Sequence, residues 1–85
     1  MRELIISEKA TKIFSELARK NPKQLAIIFK KIPEILAHPE HFKNLRAPLQ
    51  HLKRVHIDKS FVLTFAVKND SVSIEDYKHH KEAYK

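Results

Sequence analysis

The stretch Phe61-Val62-Leu63-Thr64-Phe65-Ala66-Val67 is an almost unbroken run of β-branched, aromatic and other apolar residues, and its reading decides the fold. Such a run, bounded by turn residues, is the pattern of a strand buried on both faces and hence central in its sheet. Before it, Val55 and Ile57 alternate with Arg54 and His56; after it, Val72 and Ile74 alternate with Ser71, Ser73 and Glu75. Asp58-Lys59 and Lys68-Asn69-Asp70 have hairpin length, so the three segments are predicted to form an antiparallel meander with 61–67 in the middle. The chain contains no glycine. Asn69 and Asp70 are therefore expected to supply the positive φ that such turns require.

Upstream the period becomes helical. Ala10, Ile13, Phe14, Leu17 and Ala18 make one apolar stripe, preceded by Ser7 as N-cap and Glu8 in the first turn, which predicts a helix over about residues 8–20. Asn21-Pro22 ends it and starts a second, because Asn caps well and Pro suits the first helical position. In this second helix Leu25, Ile28, Phe29, Ile32 and Leu36 share a face, so the two helices can pair as a hairpin. Pro33 predicts a kink or break near Phe29 to Ile32, with a shorter turn running on to about Ala37. His38 to Pro48 reads as irregular, and Leu4 to Ile6 as a short first strand. Lys78 to Lys85 is too short for a stable lone helix and is expected to form one turn or an extended tail packed by Tyr77 and Tyr84. The order is β-α-α-β-β-β with a short C-terminal segment, an α+β chain of one domain over 1–85.

Charge and composition narrow the function. Seventeen Lys plus Arg against 10 Asp plus Glu give +7 before any of six His is counted. The densest basic excess is 43–59, where Lys43, Arg46, Lys53, Arg54 and Lys59 face only Asp58. This suits a polyanion or an acidic protein partner, with solubility alone as the bland alternative. A domain of this length buries only about 60 to 65% of its unfolded surface, so a site must lie on the surface or in a shallow cleft. No Cys is present, which excludes disulfides, thiolate nucleophiles and Cys-ligated zinc. No apolar run approaches the roughly 18 to 20 residues of a membrane helix or forms a signal-peptide core, so a soluble, cytoplasmic protein with no membrane partner is expected.

A Gly-rich phosphate loop, a Ser nucleophile elbow and H-E-x-x-H are all missing, which leaves histidines and bases. His38 and His41, and the adjacent His79 and His80, have no Asp or Glu at a recognised ligand spacing, so no metal and no cofactor is expected. Leu52-Lys53-Arg54-Val55-His56-Ile57 is more informative. With Val55 and Ile57 facing the core, Arg54 and His56 share the opposite face, where they can meet an anionic substrate or simply be solvated.

The block L-R-A-P-L-Q-H-L-K-R-V-H-I-D-K-S-F-V-L-T-F from Leu45 to Phe65, with D-Y-K-H-H-K-E-A-Y-K from Asp76 to Lys85, resembles the RelE/ParE superfamily of toxin-antitoxin toxins, in particular YafQ-type and archaeal RelE-like members. The opening from Leu4 to Leu17, with S-E-K-A-T-K-I-F, looks like the family's first strand and helix. The resemblance implies a helical hairpin packed on a twisted antiparallel sheet joined by the first strand. It also implies an endoribonuclease that cuts mRNA in the ribosomal decoding site, an mRNA interferase, with a cognate antitoxin protein as partner. By the same resemblance His56 matches the family's sheet histidine, His80 its C-terminal histidine, Tyr84 its terminal aromatic and Arg46 its basic residue after the loop leucine. Ala47 and His51 depart from family glycines. Ser60 stands where RelE itself has an Arg and YafQ-type sequences an Asp.

The chemistry asks for these residue types independently. Metal-free RNA cleavage by attack of the 2′-OH on the adjacent phosphorus needs a base, an acid for the 5′-oxygen and cations for the phosphate. Imidazole, with an unperturbed pKa of about 6.5, serves either proton role. His56 and His80 are the candidate pair, in either assignment, and His79 can exchange with His80. Lys43, Arg46, Lys53, Arg54 and Lys59 are the candidate RNA contacts, and Tyr84 can stack on a base. Two other functions compete: a non-catalytic, ParE-like interaction toxin, and a basic RNA-binding module that does not cut.

Overall fold

The structure, a computed structural model, describes residues 2–80. Its elements are β1 (Glu3–Ile6), α1 (Glu8–Lys20), α2 (Pro22–Ala37), a 3₁₀ turn (Pro39–His41), β2 (Lys53–Ile57), β3 (Phe61–Lys68) and β4 (Ser71–His79). They form a four-stranded sheet in the order β1-β4-β3-β2. The meander β2-β3-β4 is antiparallel, and β1 adds to β4 as the one parallel pair. The β-α-α-β-β-β order and the central place of the 61–67 run follow the sequence pattern, with the sheet mixed through β1. No helix among the described residues is long and apolar enough to cross a membrane.

Local chemistry sets the helix boundaries. The Ser7 hydroxyl accepts from the Ala10 N–H at 3.1 Å and caps α1. Asn21 alone links the helices and serves both: its N–H donates to the Leu17 carbonyl at 2.8 Å, and its side-chain oxygen accepts from the Gln24 N–H at 3.3 Å. Contrary to the expected break, α2 runs as one helix through Pro33. Beyond the proline, Ile35 and Leu36 are buried. Burying two such side chains contributes about 3 to 6 kcal/mol, enough to offset the ~3 kcal/mol that an interior proline costs. Phe29 departs too: it is half-exposed, its ring edge-on to Phe14, while Gln24 and Ile35 take buried positions on α2.

The core lies between the helices and one sheet face, where Ala10, Phe14, Ile28, Ile32, Ile35 and Leu36 meet Val55, Ile57, Leu63, Phe65, Val72, Ile74 and Tyr77. Phe42, just after the 3₁₀ turn, sets its ring edge-on to Phe65 at 5.7 Å and ties the following loop to this core. That loop runs beside β2, with Arg54 N–H donating to the Lys43 carbonyl at 3.0 Å and Leu45 N–H to the Leu52 carbonyl at 2.9 Å. The start of the β2 edge is thereby covered.

Two details correct the expectations from sequence. Positive φ occurs at Asp58, Lys59 and Asn69, and not at Asp70, so the β2–β3 turn carries most of the left-handed backbone. More consequentially, β4 continues through His79, so Lys78 and His79 belong to a strand and not to a tail. The register gives the reason. Thr64 faces Asp76 while Phe65 faces Ile74, which leaves Glu75 as the extra residue of a β-bulge and interrupts the alternation. The bulge is held from β1–α1, since the Ser7 hydroxyl donates to the Glu75 carbonyl at 3.0 Å and the Ser7 N–H to the Ile74 carbonyl at 3.0 Å. Tyr84 lies outside the described residues.

Candidate active site

The sheet face opposite the helices carries the candidate site. Alternation along β2 buries Val55 and Ile57 in the core and turns Arg54 and His56 outward, as the period-two rule requires. The register places Arg54, Thr64 and Asp76 in one cross-strand row and His56, Val62 and Lys78 in the next. His80 follows Lys78 by two and lies on the same side. Its N–H donates to the Ser60 carbonyl at 2.7 Å, and its imidazole faces that of His56 with centroids 5.6 Å apart and planes 27° from parallel. Two histidines far apart in the chain thus meet across β3.

His79 is placed otherwise. It pairs with Phe61 in the register and sets its ring edge-on to the Phe61 ring at 5.3 Å, while Tyr77 stacks on that same ring at 5.4 Å. Burial, followed by the negative charge of Asp58, pushes the Tyr77 phenol far above its ordinary pKa, so it is a neutral packing residue.

Beside the histidine pair the loop after the 3₁₀ turn folds over the same face. Leu45, Leu49, Leu52 and Val62 wall a shallow cleft of about 290 Å³, with Thr64, Lys9, Glu75, Asp76 and Lys78 completing it. Lys9 from α1 and Lys78 from β4 both donate to Asp76 Oδ2, at 3.1 and 3.3 Å. Burial raises the Asp76 carboxyl, but Lys9, the Tyr77 N–H and Lys78 together outweigh it and hold its pKa below the usual carboxylate value. One carboxylate therefore orders two ammonium groups, and with Glu75 the rim carries two charges of each sign.

The sequence-predicted cations divide. Arg54 lies on the His56 face and donates to the Asn44 carbonyl at 3.4 Å. Lys53 is in register with Phe65 on the other side, and its ammonium donates to the Phe42 carbonyl and to Asn44 Oδ1, both at 3.1 Å. Lys43 and Arg46 are exposed on the covering loop, and Lys59 is exposed in the β2–β3 turn. Sequence reasoning missed Lys9, Asp76 and Lys78. The available signal was the continued polar–aromatic alternation Asp76-Tyr77-Lys78-His79, which extends β4 once the bulge is allowed for.

No family model matches the chain. It is 47% identical to the candidate toxin RelE4 of Methanocaldococcus jannaschii over 100% of this chain and 93% of that protein. It is 56% identical to an uncharacterized protein of Methanosarcina mazei over 84% of this chain and 85% of that one. In structure it is similar to a copper-bound mutant toxin from Helicobacter pylori, with a TM-score of 0.83 and 18% identity over 99% of this chain and 100% of that one. Escherichia coli YafQ superposes with a TM-score of 0.71 and 11% identity over the whole of both chains. A helical hairpin on a four-stranded mixed sheet is thus a fold that the chain shares with these toxins. The chain belongs to the RelE family of toxins.

Proposed function

We propose that this toxin is a metal-independent mRNA endoribonuclease that acts on the ribosome and inhibits translation, with His56 and His80 as its acid/base pair. The observation that carries the reading is the facing of these two imidazoles on a sheet side that also bears Arg54 and Lys78. In cleavage by the 2′-oxygen, the attacking and leaving oxygens lie on opposite sides of one phosphorus. Two titratable rings of neighbouring position can serve both: one takes the 2′-OH proton as the P–O2′ bond forms, and the other protonates the 5′-oxygen as the P–O5′ bond breaks, leaving a cyclic phosphate and a 5′-hydroxyl. Arg54 and Lys78 stabilise the added charge on the phosphate. His79, held against Phe61, has less access to this role, and Tyr84 is proposed to stack on a base.

The basic loop residues Lys43 and Arg46, with Lys59, are proposed to hold the RNA backbone, and Lys53 to stiffen the loop that presents them. The partner of a family toxin is an antitoxin. The +7 charge and the exposed Ile5, Phe29 and Leu49 suit an acidic, amphipathic segment of such a protein, and the proposed place of action is the cytoplasm. The test is incubation of the purified protein with translating ribosomes and mapping of mRNA 5′ ends. New ends inside the reading frame that disappear with His56→Gln or His80→Gln are expected. Inhibition of growth without any mRNA cleavage would instead favour a toxin that acts by binding alone.

A further inference from the structure

Apart from every role assigned so far, α2 finishes in His38-Pro39-Glu40-His41. The turn is fixed by its backbone: His38 N–H donates to the Glu34 carbonyl at 2.9 Å, His41 N–H to the His38 carbonyl at 3.0 Å and Phe42 N–H to the Pro39 carbonyl at 3.2 Å. Pro39 is buried, and Phe42 is anchored on Phe65, so both ends of the turn are tied to the core. On its outer side the imidazoles of His38 and His41 stack, with centroids 4.8 Å apart and planes 15° from parallel. The Glu40 carboxylate reaches both, with Oε2 3.5 Å from His38 Nδ1 and 3.9 Å from His41 Nε2. One ligand atom from each of the three side chains can be chosen so that all lie within 4.8 Å of one another. It is the one such group of three among the described residues.

We propose that His38, Glu40 and His41 bind one late first-row divalent ion, of the Cu²⁺, Ni²⁺ or Zn²⁺ class. Imidazole nitrogens select these ions over Mg²⁺ and Ca²⁺, which take oxygen ligands. Metal–nitrogen bonds of about 2.0 to 2.1 Å require tetrahedral ligand atoms about 3.3 Å apart. Closing the present spacing to that value takes only side-chain rotation, because all three residues are exposed and the backbone beneath them is already ordered. Three protein donors leave at least one position open to water or to a donor from another molecule. An ion here would join the end of α2 to the start of the loop that covers the outer sheet face. This site is independent of the cleavage reading, which uses neither His38 nor His41.

The test is titration of the tag-free full chain with Cu²⁺ alone, followed by calorimetry and electron paramagnetic resonance, with Mg²⁺ as control. One equivalent is expected at this site, with hyperfine structure from two nitrogens and no comparable response to Mg²⁺. Changing a ligand should weaken binding by at least about 10 to 100-fold, the loss that even outer-shell changes produce. His38→Gln and His41→Gln should each do so, and Glu40→Gln should weaken it with both nitrogens retained. The paired His56→Gln, His80→Gln variant should keep the equivalent. Retention of the same affinity and spectrum in the folded His38→Gln, His41→Gln variant would overturn the proposal. So would absence of binding in the wild type, or its loss in the His56, His80 variant alone.

Discussion

The imidazole of His56, on β2, faces that of His80, just past β4, at 5.6 Å across the intervening strand β3. Neither ring is part of the core, and His56 is exposed. Removing either should therefore separate activity from stability. His56→Gln and His80→Ala are each expected to lower mRNA cleavage by about 10²- to 10⁴-fold, the usual contribution of a positioned acid or base. Their unfolding free energies should stay within about 0.5 kcal/mol of wild type. The check is 5′-end mapping on translating ribosomes beside denaturant unfolding. Full cleavage by either variant with a reduced unfolding free energy would make that histidine a packing residue.

RNA or ribosome binding should weaken steeply with salt. If Lys43, Arg46, Arg54, Lys59 and Lys78 together neutralise about three to five phosphates, log K against log salt should have a slope near −2 to −3.5 for a single strand. Lys78→Ala should flatten that slope by about 0.7, one phosphate's share. Fluorescence anisotropy at several salt concentrations measures both. A slope near zero would remove nucleic acid as the direct partner.

Asp76 sets a stability that depends on pH. Its folded-state pKa is depressed, so its contribution is present above the unfolded value of about 3.9 and is lost as pH falls through the folded value. Asp76→Asn is expected to cost about 1 to 2 kcal/mol at pH 7, since it weakens charge-assisted hydrogen bonds from Lys9 and Lys78. The difference from wild type should be smaller at about pH 3 than at pH 7, because below about 3.9 the unfolded chain binds a proton that the folded carboxylate resists. Urea unfolding at the two pH values decides this, and an unchanged difference would assign the loss to packing.

Ser7→Ala removes a helix cap and the hydroxyl that holds the bulge carbonyl in the same step. A loss of about 1 to 2 kcal/mol is expected, at the upper end for a cap. Ser7→Thr, which keeps the hydroxyl, should recover most of it. The measurement is again urea unfolding, and an effect below about 0.3 kcal/mol would mean that water replaces both bonds without cost.

Much of this fold was legible because its strands and α1 are strongly periodic. The 61–67 run, the alternation around Val55 and Ile57, and the caps Ser7 and Asn21 each specify one local structure, and all agree. His56 was legible for the same reason: two buried neighbours fix the side to which it turns. What escaped the pattern depended on tertiary packing. Burial of Ile35 and Leu36 overrides the helix-breaking tendency of Pro33, and the loop chemistry of Lys53 depends on where Phe42 docks. The ion pairs of Lys9 and Lys78 with Asp76 join α1 to β4 through a spacing that no local window contains. The proximity of Glu40 to two histidines needed a 3₁₀ turn, at which the prolines of the 38–48 segment only hinted.

The bulge at Glu75 gives β4 two opposite phases. Counting by twos from Val72 and Ile74 would send Asp76, Lys78 and His80 toward the helices and Tyr77 outward; the single extra residue exchanges them. Without position 75 the alternation would run unbroken, with Ile74 and Tyr77 inward and Asp76, Lys78 and His80 outward, so a one-residue deletion there would remove the bulge and leave every later side chain on its present face. The count is strict further on: a one-residue deletion between Tyr77 and His80 would turn His80 away from His56. Among diverging copies of this gene, position 75 should thus tolerate loss as well as substitution, while the spacing from Asp76 to His80 is inherited rigidly.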